Sequence, residues 1–142
     1  MTEDRQQHLE NLKARADTSP YYQLLGMRVV ELAEGRARLT MPIGNKLFQA
    51  YDAVQGGAIA SIADGAAAYV VIALLEPGQI TNTVELKINY LRPVTKGTLT
   101  AEGRLISRGK RIAVVEMDVW QDDGKLVAKG MATMITTHGL KS

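Results

Sequence analysis

The chain has 142 residues, of which 46% are hydrophobic and 23% charged, with a formal net charge of +2 and no cysteine. This length and composition predict one folded domain and argue against an extended disordered segment. The mixed charge lacks the basic stripe of nucleic-acid binders, and the missing cysteines exclude disulfides, thiolate metal sites and cysteine nucleophiles.

The chain begins with a polar segment that predicts a helix over residues 3 to about 17. Leu9, Leu12 and Ala16 lie on one face at helical spacing. Ser19-Pro20 then ends this helix, because proline cannot continue the hydrogen-bond ladder. The segment has no basic stretch followed by an apolar run, as a secretory signal would, so we expect a cytoplasmic protein.

The period of the pattern then changes from helix to strand. Met27 to Leu32 is strand-like, and Arg36 to Met41 alternates polar and apolar residues strictly, which is typical of a half-buried strand. The intervening Ala33-Glu34-Gly35 predicts a hairpin turn. Pro42 to Val54 predicts a long loop.

The longest apolar stretch runs from Ala58 to Leu75 and predicts a helix that Gly56-Gly57 opens and Pro77-Gly78 ends. It carries Asp64 near its middle, and a carboxylate is costly at the centre of a bilayer. At 1.5 Å per residue the stretch is only about 27 Å long, which is marginal for crossing a membrane. We therefore predict a core helix and no membrane partner.

Four alternating segments follow and predict strands at about residues 83–90, 98–105, 111–121 and 125–136, with turns at Ser107–Lys110 and Asp122–Gly124. Runs of strands with a segregated helix favour an α+β fold with an antiparallel sheet. A helix that is apolar all round must be covered on every side. We predict a curved sheet wrapped around the long helix, with one helix face left for a second subunit.

The sequence leaves few catalytic side chains other than carboxylates. Its two histidines, His8 and His138, lie near the ends of the chain, and no G-x-S-x-G elbow accompanies them, which argues against a Ser-His-Asp triad. No cluster of ligating residues has metal spacing, and neither a P-loop nor a dinucleotide fingerprint is present. We therefore expect no metal and no cofactor.

A glycine pair and one acid mark the long helix as the candidate site. Gly56 and Gly57 stand where the loop meets the helix, and the free N–H groups and dipole there favour negative charge. Asp64 follows about two turns later, in surroundings where a carboxylate must be hydrogen-bonded or its pKa rises. Two interpretations stay open: a catalytic carboxylate, or a core carboxylate bonded to Asn82 or Thr83 on a strand, with the glycines serving only tight packing.

This segment resembles the PaaI-like (phenylacetate-pathway) branch of the hotdog thioesterases. The family pattern is His-Gly-Gly before the long helix and a helical Asp or Glu nine residues after the His, a spacing that Gln55-Gly56-Gly57 and Asp64 occupy. Gln49 matches an Asn or Gln six residues before that His. Thr83 matches the family's Ser or Thr on the strand after the helix.

The resemblance extends to Asn89–Pro93 and Arg108–Arg111 and covers roughly residues 24 to 136. It implies a hotdog domain over residues 21–142 after a helical extension. One departure concerns Gln55, which stands in place of the His. A glutamine can donate a hydrogen bond to a carbonyl but cannot titrate near pH 7. Gln55 can substitute if that His mainly shapes the loop, whereas activity is altered or lost if that His polarises the thioester.

The resemblance implies an acyl-CoA thioesterase that releases a free acid and CoA. Gly56 and Gly57 N–H groups would form an oxyanion hole, and Asp64 would act as base or nucleophile. The other implied residues are Gln49 and Gln55 near the carbonyl, Thr83 beside the water or Asp64, Arg92, Arg108, Lys110 and Arg111 at the CoA phosphates, and Phe48, Tyr51 and Tyr69 in the acyl pocket. A homodimer or homotetramer with sites between subunits is also implied.

Two other functions stay open for a hotdog protein. Gln55 favours a non-catalytic acyl-CoA or lipid-binding protein. A dehydratase or hydratase usually needs a histidine beside the carboxylate, and no histidine is near in the sequence. The basic turn is equally well explained as a solvated hairpin tip, and at least one of the three aromatic residues as plain core. Aromatic, short-chain and medium-chain acyl groups all remain open.

Overall fold

Helices and strands follow one another through residues 2–139, the part of the chain that this computed structural model describes. The predicted division into an N-terminal extension (residues 1–20) and a hotdog domain (residues 21–142) also covers residues 1 and 140–142, which lie outside the described part. The elements are α1 (Glu3–Ala16), α2 (Pro20–Leu25), β1 (Arg28–Ala33), β2 (Arg36–Pro42), a 3-10 turn (Asn45–Leu47), α3 (Gly56–Ile72), β3 (Gln79–Tyr90), β4 (Thr98–Arg108), β5 (Ile112–Trp120) and β6 (Leu126–His138).

The six strands form one antiparallel sheet in the order β1-β2-β4-β5-β6-β3. Strict alternation buries one face: in β2, Ala37, Leu39 and Met41 are fully buried while the residues between them are not. The buried face packs on α3. The predicted sheet around one long helix is therefore confirmed.

The two N-terminal helices have clear local causes. The Thr2 side chain caps α1, and Leu9 and Ala16 are buried on its inner face. The first helix ends before Ser19-Pro20 as predicted, and the same two residues begin α2: Ser19 is its N-cap and Pro20 its first residue, where a missing N–H costs nothing. Gly26 ends α2 in the left-handed conformation, with φ of 75°.

The long helix α3 ends at Ile72, earlier than the predicted stop at Pro77-Gly78. After Ile72 the chain tightens into a turn in which the Leu74 N–H donates to the Val71 carbonyl at 2.9 Å. Arginines from other elements take the free carbonyls: the Arg5 guanidinium donates to the Ala73 carbonyl at 2.6 Å. The apolar pattern continues beyond Ile72 because this turn is also packed in the core.

Strand bounds differ from the pattern where backbone pairing continues past the alternating residues. β3 begins at Gln79 rather than Thr83, because its first residues pair with the end of β6. β4 continues through Arg108, so the predicted turn at Ser107–Lys110 lies instead at residues 109–111. The turn predicted at Asp122–Gly124 is confirmed.

One face of α3 is left uncovered by the sheet within residues 2–139. Ser61, Asp64, Ala68 and Ile72 follow one another at helical spacing and are only partly buried. The neighbouring residues Ala63, Ala66 and Ala67 are completely buried. None of the helices in the described part is both long and apolar enough to cross a membrane.

The sheet face turned away from α3 carries a network of ion pairs centred on two buried carboxylates. Glu102 and Asp118 are 8% and 6% exposed. Burial alone would raise the pKa of Glu102, but hydrogen bonds from Arg38, Arg36 and Arg104 outweigh it and lower that pKa. Hydrogen bonds from Lys129 and Arg104 likewise lower the pKa of Asp118 despite its burial.

We expect the ion pairs of Glu102 to make the free energy of unfolding fall at acidic pH. Because the folded-state pKa of Glu102 is lowered, its contribution is complete above the ordinary carboxyl pKa and is lost as the pH falls below about 4. Glu102→Gln should lower the free energy of unfolding by about 2 kcal/mol at pH 7. Between pH 7 and pH 3 its free energy of unfolding should change less than that of the unchanged protein. Urea unfolding between pH 7 and pH 3 measures both.

Glu34→Gln is the matched control for that experiment, because Glu34 is exposed in the turn between β1 and β2. Its acid dependence should equal that of the unchanged protein. Parallel pH curves for Glu102→Gln and Glu34→Gln would contradict the role given to the network.

Candidate active site

Asp64 lies in the middle of α3 on the partly uncovered face, opposite β3. The Thr83 hydroxyl donates a hydrogen bond of 2.7 Å to Asp64 Oδ1, and β3 holds Thr83 in place by pairing with Met134 of β6. Of the two strand residues that sequence reasoning offered as partners, Thr83 is the one that bonds. Asp64 is therefore oriented by a hydroxyl yet stays accessible from the uncovered face.

The N-terminus of α3 presents backbone N–H groups. Gln55 occupies the N-cap position without a side-chain capping bond, and it is exposed. Gly57 is exposed and Gly56 partly so. The first N–H groups of a helix have no intrahelical acceptor, and the helix dipole adds positive potential there. This end of α3 can therefore receive a developing negative charge.

Tyr90 fixes the first peptide of this helix. Its hydroxyl donates to the Gly56 carbonyl at 2.9 Å, and its ring lies so close that a Cβ on Gly56 would sit 3.2 Å from the ring Cζ. The Gly56 carbonyl and the Gly57 N–H belong to the same planar peptide. Holding one therefore orients the other.

Sequence reasoning missed Tyr90, although the signal was present. The alternation that directs Leu86 and Ile88 toward α3 also directs Tyr90 there. Tyr90 belongs to the family-like stretch Asn89–Pro93, from which the sequence alone predicts no role for the tyrosine.

A cleft of about 380 Å³ opens beside Gly56 and brings together several of the predicted residues. Gln49, Tyr90 and Arg92 share its lining with Gly56. The Gln49 side-chain oxygen accepts a hydrogen bond from the Tyr51 N–H, which holds the loop before α3. The cleft thus combines the helix N-terminus with an amide and a guanidinium.

The other predicted CoA-binding residues lie at the opposite end of α3. Arg108, Lys110 and Arg111 surround a small depression beside the last turn of the helix, where Arg108 donates to the Leu74 carbonyl at 3.2 Å. A helix of 17 residues is about 25 Å long. Within one chain these three residues and Arg92 are therefore far apart.

The three predicted acyl-pocket residues are also separated within one chain. Phe48 is partly buried against the core in the loop before α3, and Tyr51 in the same loop is 89% exposed. Tyr69 lies toward the other end of α3. Gly56 and Asp64 are eight residues apart, which corresponds to about 12 Å along the helix. One chain alone does not place Asp64 against the Gly56 N–H.

Two tyrosines of α2 hold α3 on either side of Asp64, and sequence reasoning missed both. Ser61 donates to the Gly57 carbonyl, so the Tyr21 hydroxyl, 2.7 Å from Ser61 Oγ, is the donor in that pair. The Tyr22 hydroxyl occupies the space above Gly65, where a Cβ would lie 2.6 Å from it. A glycine inside a helix often marks such a close approach.

The Tyr22 ring also packs against Tyr69, with ring centroids 5.9 Å apart. Burial raises the pKa of Tyr22 far above its ordinary value, and the nearby Tyr69 and Asp64 act in the same direction. Tyr22 is therefore a neutral hydroxyl in the working pH range. The aromatic pair forms a rigid wall beside the uncovered face of α3.

The chemistry available at this site is that of carboxylate, hydroxyl, amide and backbone N–H groups. Within residues 2–139 no three His, Cys, Asp or Glu side chains come close enough together to hold a metal ion. A carboxylate beside a hydroxyl, with N–H donors at a helix end, is suited to acyl transfer to water.

Comparison with known proteins gives the family. The sequence profile described as the thioesterase superfamily matches residues 51–128, more than half of the chain. The chain therefore belongs to the thioesterase superfamily.

Individual relatives narrow this to the PaaI-like hotdog group. A crystal structure of a thioesterase of Haemophilus influenzae superposes with a TM-score of 0.85 at 26% identity, over 94% of this chain and 92% of that chain. The PaaI protein of Escherichia coli superposes with a TM-score of 0.83 at 25% identity, over 95% and 98% of the two chains. Its sequence, named acyl-coenzyme A thioesterase, is 28% identical over 84% of each chain.

A further relative is the 1,4-dihydroxy-2-naphthoyl-CoA hydrolase of Listeria monocytogenes, 26% identical over 78% of this chain and 89% of the relative. The predicted hotdog fold and PaaI-like family are confirmed by these likenesses. The chain is a thioester hydrolase.

Removing the Tyr90 hydroxyl tests whether it fixes the start of α3. Tyr90→Phe keeps the ring and deletes one hydrogen bond to Gly56, so the free energy of unfolding should fall by about 1 kcal/mol. Tyr51→Phe is the matched control, because the Tyr51 side chain is 89% exposed, and it should change nothing. Urea unfolding of both variants measures this, and equal losses would contradict the assignment.

Proposed function

We propose that this chain hydrolyses an acyl-CoA thioester to a free acid and CoA, with Asp64 as the reacting carboxylate. The observation that carries this proposal is the 2.7 Å hydrogen bond from Thr83 to Asp64 on the face of α3 that the described residues leave partly uncovered. A carboxylate with a purely structural role would have no need of access to that face. The relatives from E. coli and L. monocytogenes, both named for CoA thioesters, support the substrate class.

The oxyanion hole is assigned to the start of α3. The thioester oxygen accepts hydrogen bonds from the Gly56 and Gly57 N–H groups, which stabilise it most when it carries the negative charge of the tetrahedral intermediate. Tyr90 supports this by holding the Gly56 carbonyl. Gln49 and Gln55 supply further amide hydrogen bonds near the carbonyl.

Asp64 has two candidate roles, and in both its carboxylate lies beside the thioester carbonyl. As a general base it takes a proton from water, the water oxygen attacks the carbonyl carbon, and the C–S bond breaks as the intermediate collapses. As a nucleophile its oxygen attacks the carbonyl carbon, CoA leaves as the thiolate, and water then cleaves the resulting anhydride. Thr83 orients Asp64 for either route.

The proposal requires a dimer, because Gly56 and Asp64 of one chain are about 12 Å apart along α3. β3 offers the contact: it is a twelve-residue edge strand with no partner on its outer side within residues 2–139. Ile80 and Val84 on this strand are 43% and 59% exposed. A long edge with exposed apolar residues is a template for pairing with another strand.

A two-fold axis perpendicular to the sheet pairs β3 with its symmetry mate in antiparallel fashion. The same axis sets the two copies of α3 antiparallel beside each other, so the Gly56 end of one helix approaches Asp64 of the other. In this arrangement Arg92 reaches CoA from one subunit. The basic residues beside the last turn of α3 would then reach the same CoA from the other subunit. These residues are Arg108, Lys110 and Arg111. A further pairing of dimers gives the tetramer form of this proposal.

Asp64→Asn tests the catalytic role with almost no change of shape. Thiol release from a panel of straight-chain and aromatic acyl-CoAs should fall at least 100-fold, while acyl-CoA binding measured by calorimetry persists. Thr83→Val should lower kcat more than it changes KM, because it releases Asp64 without touching the helix N-terminus. Asp4→Asn, an exposed carboxylate in the first turn of α1, is the matched control and should keep full activity.

Equal turnover by Asp64→Asn and the unchanged protein would remove Asp64 from the reaction. Binding without thiol release on any substrate would favour the acyl-CoA-binding alternative, and Gln55→His would then be the variant that restores activity.

A charge on the free edge of β3 tests the dimer. Val84→Lys should shift the sedimentation coefficient toward that of the monomer and lower turnover in parallel, because each site needs both chains. Met131→Lys is the control: Met131 is 45% exposed on β6, one strand in from the edge. An unchanged sedimentation coefficient for Val84→Lys would exclude β3 as the contact.

A further inference from the structure

A groove of about 480 Å³ lies between the N-terminal helices and the later turns of α3. This is within the range of volumes that small-molecule sites occupy. Its walls are contributed by α1, α2, α3, the turn after it, and the first residues of β3. The apolar residues that line it from the helices and the turn after α3 are Leu12, Pro20, Tyr69, Ile72 and Leu75.

The groove begins at Ile72, on the same face of α3 that carries Asp64. Asp64, Ala68 and Ile72 are spaced four residues apart on α3 and are all partly uncovered. Across from them, Thr81 precedes Thr83 by two residues on β3, and both are partly buried, as expected for residues on one strand face. A ligand chain that starts at Asp64 and follows this face of α3 would therefore pass the small residue Ala68 and enter the groove at Ile72.

Most polar groups in the groove wall are already hydrogen-bonded within the protein. The Thr81 hydroxyl donates to the Ile135 carbonyl at 3.1 Å. The Thr18 hydroxyl donates to the Arg15 carbonyl at 2.7 Å. The Gln79 side-chain oxygen accepts from the Glu76 N–H at 2.8 Å. With these groups occupied, the groove offers a ligand chiefly apolar contacts, and Arg15 stands at its rim.

The wall nearest to Asp64 is closely packed. Tyr22 and Tyr69 pack on each other, and the Tyr22 hydroxyl fits into the space left by Gly65. The groove can therefore accept added chain length at its open end more easily than added width near Asp64. This shape favours a flexible straight chain over a broad ring system.

We propose that the groove binds the distal part of a straight-chain acyl group, which makes the substrate a medium- or long-chain fatty acyl-CoA. The inference rests on the proposed function and names its substrate class. Asp64 and Ile72 are eight residues apart, or about 12 Å along the helix. At a C–C bond of about 1.5 Å, an extended chain needs about eight to ten carbons to reach the groove. α1 and α2 are thus part of the substrate site.

Filling the groove tests this inference. We would measure kcat/KM for straight-chain acyl-CoAs from butanoyl to hexadecanoyl, and for benzoyl-CoA, with the unchanged protein and Leu12→Trp. Each methylene that enters the groove raises kcat/KM by up to about fourfold, so activity should climb once the chain passes about eight carbons. Leu12→Trp should lower kcat/KM at least tenfold for decanoyl-CoA and longer chains, and leave butanoyl-CoA within twofold.

Ala14→Trp is the matched control, because Ala14 is exposed on the same helix and does not line the groove. It should reproduce the chain-length profile of the unchanged protein. Leu12→Gln is the second variant if Leu12→Trp does not fold, since it removes apolar contact without adding bulk, and it should flatten the rise with chain length.

Three results would overturn the inference while leaving the thioesterase intact. These are highest activity on benzoyl-CoA, no rise with chain length, or parallel profiles for Leu12→Trp and Ala14→Trp. If the unchanged protein releases no thiol from any substrate, the proposed function fails instead. The groove is then tested by binding: tighter binding of decanoyl-CoA than butanoyl-CoA, abolished by Leu12→Trp, would support it, and equal affinities would overturn it.

Discussion

The close approach of the sheet to α3 is the constraint on which the rest of this structure depends. A Cβ on Gly103 of β4 would lie 2.7 Å from the Ala66 carbonyl oxygen of α3, so strand and helix backbones are nearly in contact there. A Cβ on Gly65 would likewise lie 2.6 Å from the Tyr22 hydroxyl and 2.9 Å from Leu39 Cδ2. A helix approached this closely can carry only small or well-fitted apolar side chains on its covered faces. This explains why α3 is rich in alanine and glycine.

The same constraint decides where chemistry can be located. A carboxylate on the covered faces of α3 would be buried against aliphatic side chains, where the charged form is disfavoured. Only the face next to β3 leaves room for Asp64, and there an edge-strand hydroxyl reaches it at 2.7 Å. The face that the sheet cannot cover is thus the face on which a carboxylate, a hydroxyl and an apolar groove meet.

Much of this could be predicted from the sequence because period and spacing are local properties. The alternation in β2 predicted its half-buried face, the Gly56-Gly57 and Asp64 spacing indicated the family and its fold, and Thr83 was one of two offered partners for Asp64. The rest depends on contacts between distant segments. The α3 end at Ile72 depends on the turn that follows and on carbonyl groups taken by arginines of α1 and β4. The roles of Tyr22 and Tyr90 depend on glycines that are 43 and 34 residues away in the chain.

The glutamine at position 55 has a physical consequence for the proposed reaction. Besides Gly56, the cleft is lined by amide, phenol, guanidinium and aliphatic side chains, with neither histidine nor carboxylate among them. The described residues that line this cleft therefore offer no imidazole or carboxylate for proton transfer. Thioester cleavage tolerates this because a thiol, with an ordinary pKa near 8.5, leaves readily as its thiolate and needs no general acid. In the proposed reaction the hydrogen bonds of Gln55 and the glycine N–H groups act on the carbonyl oxygen alone, which leaves the attack on the carbonyl carbon to Asp64 or to a water that Asp64 activates.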